Sequence, residues 1–315
     1  MPTKPFLLTL AKPLATINKM KTILGTVVIS LFSLIAFGNN YTSYYSLCNS
    51  ADKLVYLKKY SEALKMYDSA FSTVEYIHSF KYQKASKCAI MANDFEKAFL
   101  FARNSILNGS TRLFWKDRKL KSFRKSKYYN MLNDSVNDYQ NIHLISINKE
   151  YKEIIDSLHY LDQRIIRKNK SCNGNYSIDS TLLPDNIWDL DSMIFQELLS
   201  LIDRFGFPSE RILGVKGYNN ASILIHHNFR LEKNEQYHSI VINALYNGEY
   251  RPRDFEFMYE QYNVWFKENT FFSSWDRNTS KENIERLNKN REEYCLKDLS
   301  SFRLKNRGLK MKSIW

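Results

Sequence analysis

Two stretches of the chain match at a spacing of 35 residues, and this recurrence constrains the fold more than any other feature. Lys59-Tyr60-Ser61-Glu62-Ala63-Leu64 corresponds to Asp94-Phe95-Glu96-Lys97-Ala98-Phe99. Each stretch enters a helical pattern after a short polar turn, and a further helical pattern precedes each. Tyr60 and Phe95 are large where paired helices leave a gap, while Ala63 and Ala98 are small where helices cross closely. Tyr67 and Ala70 continue the first pattern at i+4 and i+7 from Ala63. With 9 Gly and 6 Pro in 315 residues, the chain lacks the turn residues of sandwiches and barrels. No alternating strand pattern of useful length appears, so the predicted class is all-α.

The paired helical segments, spanning about Tyr44–Gly109, resemble the tetratricopeptide repeat, a helix-turn-helix unit of about 34 residues. The resemblance implies stacked helical hairpins and a surface for a protein or peptide partner. Glu75 replaces the usual Pro at the repeat's end, and the first helix lacks a clear large-small pair. A degenerate third unit is expected over Trp115–Asn133, where Leu120, Phe123, Tyr129 and Leu132 recur at helical spacing. Such units do not bury their apolar faces alone, so the following part of the chain is expected to cap them.

Ile23–Phe37 is an apolar run preceded by Lys19 and Lys21, too short for the roughly 20 residues of a bilayer-spanning helix. A basic start, a short apolar core and Ala36 and Gly38 at −3 and −1 match an export signal cleaved after Gly38. Met20-Lys21 begins a signal of ordinary length, which makes Met1–Lys19 an upstream extension. Cleavage would leave 42 basic against 33 acidic side chains, +9 in place of +13. The expected location is exported, periplasmic or secreted. Membrane contact is then expected only through an uncleaved leader. Cys48, Cys88, Cys172 and Cys295 show no C-x-x-C or zinc spacing, and export permits disulfides without requiring them.

The expected organisation is a leader at 1–38, helical repeats at 39–138, a second helical domain at 139–300 and a basic tail at 301–315. Within the second domain, helices are expected at Ile145–Lys168, Leu190–Phe205, Asn219–Arg230, Glu235–Asn247 and Arg253–Lys267, with a polar loop at Asn169–Asn186. From about Leu158 to Trp265 this half resembles an uncharacterised bacterial domain-of-unknown-function family found in envelope proteins of Bacteroidetes-type bacteria. The resemblance rests on Asp162-Gln163, on Asp191 opening a helix that ends in Gly206-Phe207-Pro208, and on Gly214. It continues through His227, Gln236 and Gly248-Glu249, with Asn288–Leu296 similar to a tail of some members. The chain departs from it at Arg167, one residue further on than the pattern, at His226 in place of Gln, and at Glu260-Gln261 in place of Asp-Arg. A terminal Tyr-Gly motif is absent.

Among groups that carry chemistry, His227 falls at the edge of an apolar helical arc formed by Ala221, Leu224, Ile225 and Phe229, where an imidazole can serve as a general base or a core residue. His226 falls on the solvent side. Asp191 projects into the apolar arc of its helix, either as an N-cap or as a buried polar partner. If His227, Asp191, Asp162, Gln163 and Gln236 converge, they form a polar site. No cofactor or metal signature is present: there is no P-loop, no G-x-G-x-x-G and no H-E-x-x-H. A basic stretch carries Arg112, Lys116, Arg118, Lys119, Lys121, Arg124, Lys125 and Lys127 against the single acid Asp117. Its aromatics Phe114, Trp115 and Phe123, followed by Tyr128 and Tyr129, serve either as a stacking surface for nucleic acid or as inward-facing core; export argues against nucleic acid and favours an anionic polymer or membrane. The leading expectation is an exported non-catalytic protein mediating protein–protein interaction. An enzyme using His227 with a carboxylate and a binder of anionic polymer or nucleic acid through Arg112–Lys127 are the alternatives.

Overall fold

A computed structural model describes residues 40–111, 114–171, 187–231, 235–266, 272 and 281–299. The expected leader, residues 172–186 of the expected loop and the expected basic tail lie outside them, while 169–171 of that loop are helical. Among the described residues the chain is all-α, without a strand. The first helices are α1 (Asn40–Tyr56), α2 (Tyr60–Phe71), α3 (Ser79–Met91) and α4 (Phe95–Leu107). After three 3₁₀ turns come α5 (Lys127–Asp134), α6 (Val136–Ser146) and α7 (Lys149–Ser171). The series ends with α8 (Ile187–Phe205), α9 (Glu210–Leu231), α10 (Glu235–Tyr246), α11 (Pro252–Phe266) and α12 (Lys281–Glu293). No described helix is long and apolar enough to cross a membrane.

The 35-residue spacing reappears in the backbone. Lys58 and Asn93 both take φ of 61°. Lys58 N–H donates to the Val55 carbonyl and Lys59 N–H to Leu54, at 3.0 and 2.9 Å; Asn93 and Asp94 repeat this onto Ile90 and Ala89, at 3.1 and 2.9 Å. This is the paired bonding of a Schellman closure, here with a left-handed residue that is not glycine. Asp94 then caps α4 by accepting from Lys97 N–H at 3.0 Å. Tyr44, Cys48, Ala51 and Val55 line the buried face of α1 at helical spacing. Small residues let α3 and α4 approach: Ser86 Oγ donates to the Ala98 carbonyl at 2.7 Å, and Ser105 Oγ to Ser79 at 3.0 Å.

Where a third unit was expected, short 3₁₀ turns at Phe114–Lys116, Arg118–Leu120 and Phe123–Lys125 precede the short α5. Phe114, Trp115, Leu120, Phe123 and Leu132 are nonetheless buried in the first core. Their apolar spacing is satisfied without one continuous helix. The helix expected from Ile145 starts at Lys149, because Ile147 is extended (φ −85°, ψ 154°) and Asn148 caps the new helix, its Oδ1 accepting from Tyr151 N–H at 3.0 Å. The helix expected from Asn219 begins at Glu210 and runs across a non-helical Gly214. Pro252 holds the first position of α11, where its missing N–H costs nothing.

Buried apolar residues form two clusters. One runs from Tyr44 to Val136 and also takes in Cys295; the other runs from Tyr151 to Leu296. Among the contacts that join them, three involve Tyr41, His143 and Glu210. Tyr41 lies over Gly248, where a Cβ would come within 2.1 Å of the ring. His143 Nδ1–H donates to the Leu107 carbonyl at 3.2 Å, and its ring is held between Gly109 and Gly214. A Cβ on either glycine would lie 2.6 or 2.7 Å from Nε2, and both have positive φ, 93° and 69°. The third contact is ionic. Glu210, fully buried, accepts from Ser79 N–H at 2.7 Å, His78 Nδ1–H at 3.0 Å, and Arg251 Nε and Nη2 at 3.0 and 2.6 Å.

Candidate functional site

Of the polar residues proposed to converge, three do. Asp162 and Gln163 sit on α7 and His227 on α9, two helices that pack together. His227 Nδ1–H donates to Asp162 Oδ1 at 2.8 Å, and Gln163 Nε2 donates to Asp162 Oδ2 at 2.8 Å. Asp162 is buried, whereas 28% of the His227 side chain is exposed. A buried carboxylate on Nδ1 fixes the ring orientation and its tautomer, leaving Nε2 as the nitrogen able to accept a proton. Among the described residues no hydrogen bond to Nε2 is formed.

His226, expected in solvent, is instead half-buried. Its Nε2 pairs with Gln261 Oε1 at 2.8 Å and its ring stacks on Phe257, centroids 5.0 Å apart and planes at 18°. The two imidazoles are 5.9 Å apart at 66°, so they serve separate contacts. The side chains of Asp191, on α8, and Gln236, on α10, lie outside the described residues. The group that meets is a carboxylate–imidazole dyad supported by an amide, suited to proton transfer at Nε2. No grouping of three or more His, Cys, Asp or Glu able to hold a metal occurs among the described residues.

In the basic stretch, Lys116, Arg118, Lys121, Lys125 and Lys127 are exposed, while Arg124 is half-buried. Arg112 and the side chain of Lys119 lie outside the described residues. Phe114, Trp115 and Phe123 are turned into the first core and offer no stacking face to solvent. Tyr128 and Tyr129 are half-buried, and Lys127 Nζ lies 5.1 Å from the centre of the Tyr128 ring.

Another polar cluster escaped the sequence pattern. Asp52 on α1 accepts from Lys84 Nζ at 3.0 Å, from Tyr67 Oη and from Lys297 Nζ, and Lys81 Nζ lies 3.7 Å away. Three ammonium groups therefore share one carboxylate that is only 8% exposed. Burial alone would raise Asp52, but Lys81, Lys84 and Lys297 hold it well below the usual carboxylate range. Burial pulls Lys297 down to about 8, with Lys84 and Lys81 adding to it against the opposing effect of Asp52. Lys84 is lowered by burial and by Lys81. Lys297 arrives on the segment 294–299 that follows α12. Asn49 Nδ2 donates to the Cys295 carbonyl at 3.2 Å, and Arg291 Nε donates to the Lys297 carbonyl. The residues are up to 245 positions apart, so spacing alone conceals them. The available signal was Lys81, a charge in line with Ala85, Cys88 and Ala89 on a face of small residues. Cys48, Cys88 and Cys295 are buried free thiols; Cys172 lies outside the described residues.

In comparison with known proteins, the chain matches no protein family, no curated protein and no solved structure.

Proposed function

We propose that the protein is an exported, non-catalytic helical repeat protein of the bacterial cell envelope, whose α1–α3 face docks a polypeptide segment of a partner. The observation that carries this reading is the seat of residues 295–299. Asn49 on α1 takes a main-chain carbonyl, and Asp52 takes the Lys297 side chain. A main-chain bond combined with a side-chain anchor fixes both the register and the identity of a bound peptide segment. The matched closures at Lys58 and Asn93 support repeats similar to the tetratricopeptide unit. The apolar run Ile23–Phe37 after two lysines supports export, and the likeness of the second half to the Bacteroidetes-type envelope family supports that setting. Exposed Ile142, Leu144 and Ile145 on α6 add apolar surface of the kind that partners cover.

The test uses the full chain in its source bacterium, with a photoreactive residue at position 84 and, as control, at exposed position 285. The expected result is a mass matching 39–315 in the envelope fraction and a discrete partner crosslinked from 84 but not from 285. An uncleaved chain confined to the cytoplasm, or identical crosslinks from both positions, would overturn it.

The 2.8 Å contact between His227 and Asp162 favours a second reading, an acid–base enzyme acting through His227 Nε2. Hydrolysis of a panel of activated esters and phosphoesters, lost in both His227→Gln and Asp162→Asn, would support it. Equal rates in all three proteins would dispose of it.

A further inference from the structure

The cluster around Asp52 holds one carboxylate against three ammonium groups, a local excess of two positive charges in a setting largely closed to water. Lys81 is reached least, with 6% of its side chain exposed, and it belongs to α3, as does Lys84. Lys297 and Lys84 have 32% and 30% of their side chains exposed, and Lys297 belongs to the irregular segment after α12 rather than to a helix. Like charges this close weaken one another in a low-dielectric site, so neutralising one amine would relieve the cluster.

We propose that Lys297 Nζ is a carboxylation site that takes up carbon dioxide as a carbamate. The Nζ lone pair attacks the carbon of CO₂, and a C–N bond forms. One C=O π pair moves onto oxygen, and the proton lost from nitrogen passes to water on the exposed side of Lys297. No oxidant or second substrate is required. The product turns a cation into an anion, so Asp52 and the carbamate then face Lys81 and Lys84, two charges against two. Lys84 and Lys81 are placed to donate to the carbamate oxygens, as ammonium groups do to any carboxylate. The other groups facing this position are Cys48 and Tyr67, neither of which adds charge at neutral pH because burial raises both.

Availability of the neutral amine supports the same choice. At pH 7.5 an amine titrating near 8 is unprotonated in about a quarter of molecules, against about one in a thousand for an ordinary lysine. The rise is a few hundred-fold. The proposal concerns the cluster alone and stands whether or not the α1–α3 face docks a partner.

The experiment equilibrates the full chain with ¹³C-labelled bicarbonate at pH 7.5, traps carbamates with a trialkyloxonium reagent and maps the label by peptide mass spectrometry. The chain's α-amine also takes up CO₂, so position decides the outcome. The expected result is label at Lys297, with near-complete occupancy as CO₂ is raised. In Lys297→Arg, which keeps a cation beside Asp52, that label disappears, whereas Lys84→Arg retains it. The thermal midpoint should rise with CO₂ in the wild-type chain and stay fixed in Lys297→Arg, because a ligand bound to the folded state alone stabilises it. Label confined to the α-amine or to other lysines would overturn the proposal, as would none at all. Mapping on the unaltered chain decides the matter even if a variant fails to fold.

Discussion

Glu210 receives four donors inside the protein, from Ser79, His78 and twice from Arg251. Burial would raise its pKa, yet Arg251, His78 and the Ser79 amide hold it well below the usual range. Glu210→Gln keeps the shape and leaves Arg251 only the more distant Asp254, 3.9 Å away, as counter-charge. Removing one partner of a buried pair costs about 3–5 kcal/mol, and urea unfolding should show a loss of that size. The exposed pair Arg211–Glu75, 3.2 Å apart, makes the contrast: Arg211→Ala should cost less than about 1 kcal/mol. His227 supplies a spectroscopic prediction. With Asp162 accepting its Nδ1–H, the neutral ring should be the Nδ1–H tautomer, and Asp162→Ala should shift it toward Nε2–H. Nitrogen chemical shifts of the imidazole would report this, and an unchanged tautomer would mean that Asp162 does not orient the ring.

At the scale of the element, the turn residues Lys58 and Asn93 carry left-handed backbone without glycine. A Cβ in that conformation costs roughly 1–2 kcal/mol, less for Asn, whose side chain tolerates it. Lys58→Gly should therefore stabilise the protein by about 0.5–1 kcal/mol after the greater unfolded-state freedom of glycine is counted. Asn93→Gly should gain less, and chemical denaturation of the two variants would show the order. The helices on either side of these turns were legible in the sequence because helix periodicity and a turn act over a few residues. The positions of α8, α10 and α11 were read within a few residues for the same reason. What was not legible depended on distant partners. The break at Ile147 is fixed by Asn148, whose N–H donates to the Ile212 carbonyl at 2.9 Å, a bond with no local signature. The 3₁₀ turns after α4 keep the expected apolar residues inside but abandon the helix. In the candidate site, the wheel placed His227 at the rim of its apolar arc, and the resemblance drew attention to Asp162. Their meeting was a conjecture that only the packing of α7 on α9 decides. Asp52 with Lys297 could not be foreseen, since nothing in either neighbourhood names the other.

At the scale of the whole molecule, charges buried where the two cores meet make stability depend on pH in two opposed ways. For Asp52 and Glu210 the folded state holds the carboxyl below its unfolded value. Their contribution is full above the ordinary values of 3.8 and 4.5 and is lost as pH falls through the lowered ones. For Lys297 the folded value of about 8 lies below the ordinary 10.5. Between them the unfolded chain binds a proton that the folded chain lacks, so stability should rise with pH over that window. Denaturant midpoints from pH 3 to 10 should show both limbs, with Glu210→Gln flattening the acid one and Lys297→Met the alkaline one. The imidazole of His143, clasped by Gly109 from the first half and Gly214 from the second, bears on how such a chain drifts over generations. Neither glycine can acquire a side chain while the ring remains, and the ring can be exchanged for something smaller without harm to either. The joint is thus fixed twice over: a smaller residue at 143 would clear the space, but the left-handed backbone at 109 and 214 would still strain any side chain placed there.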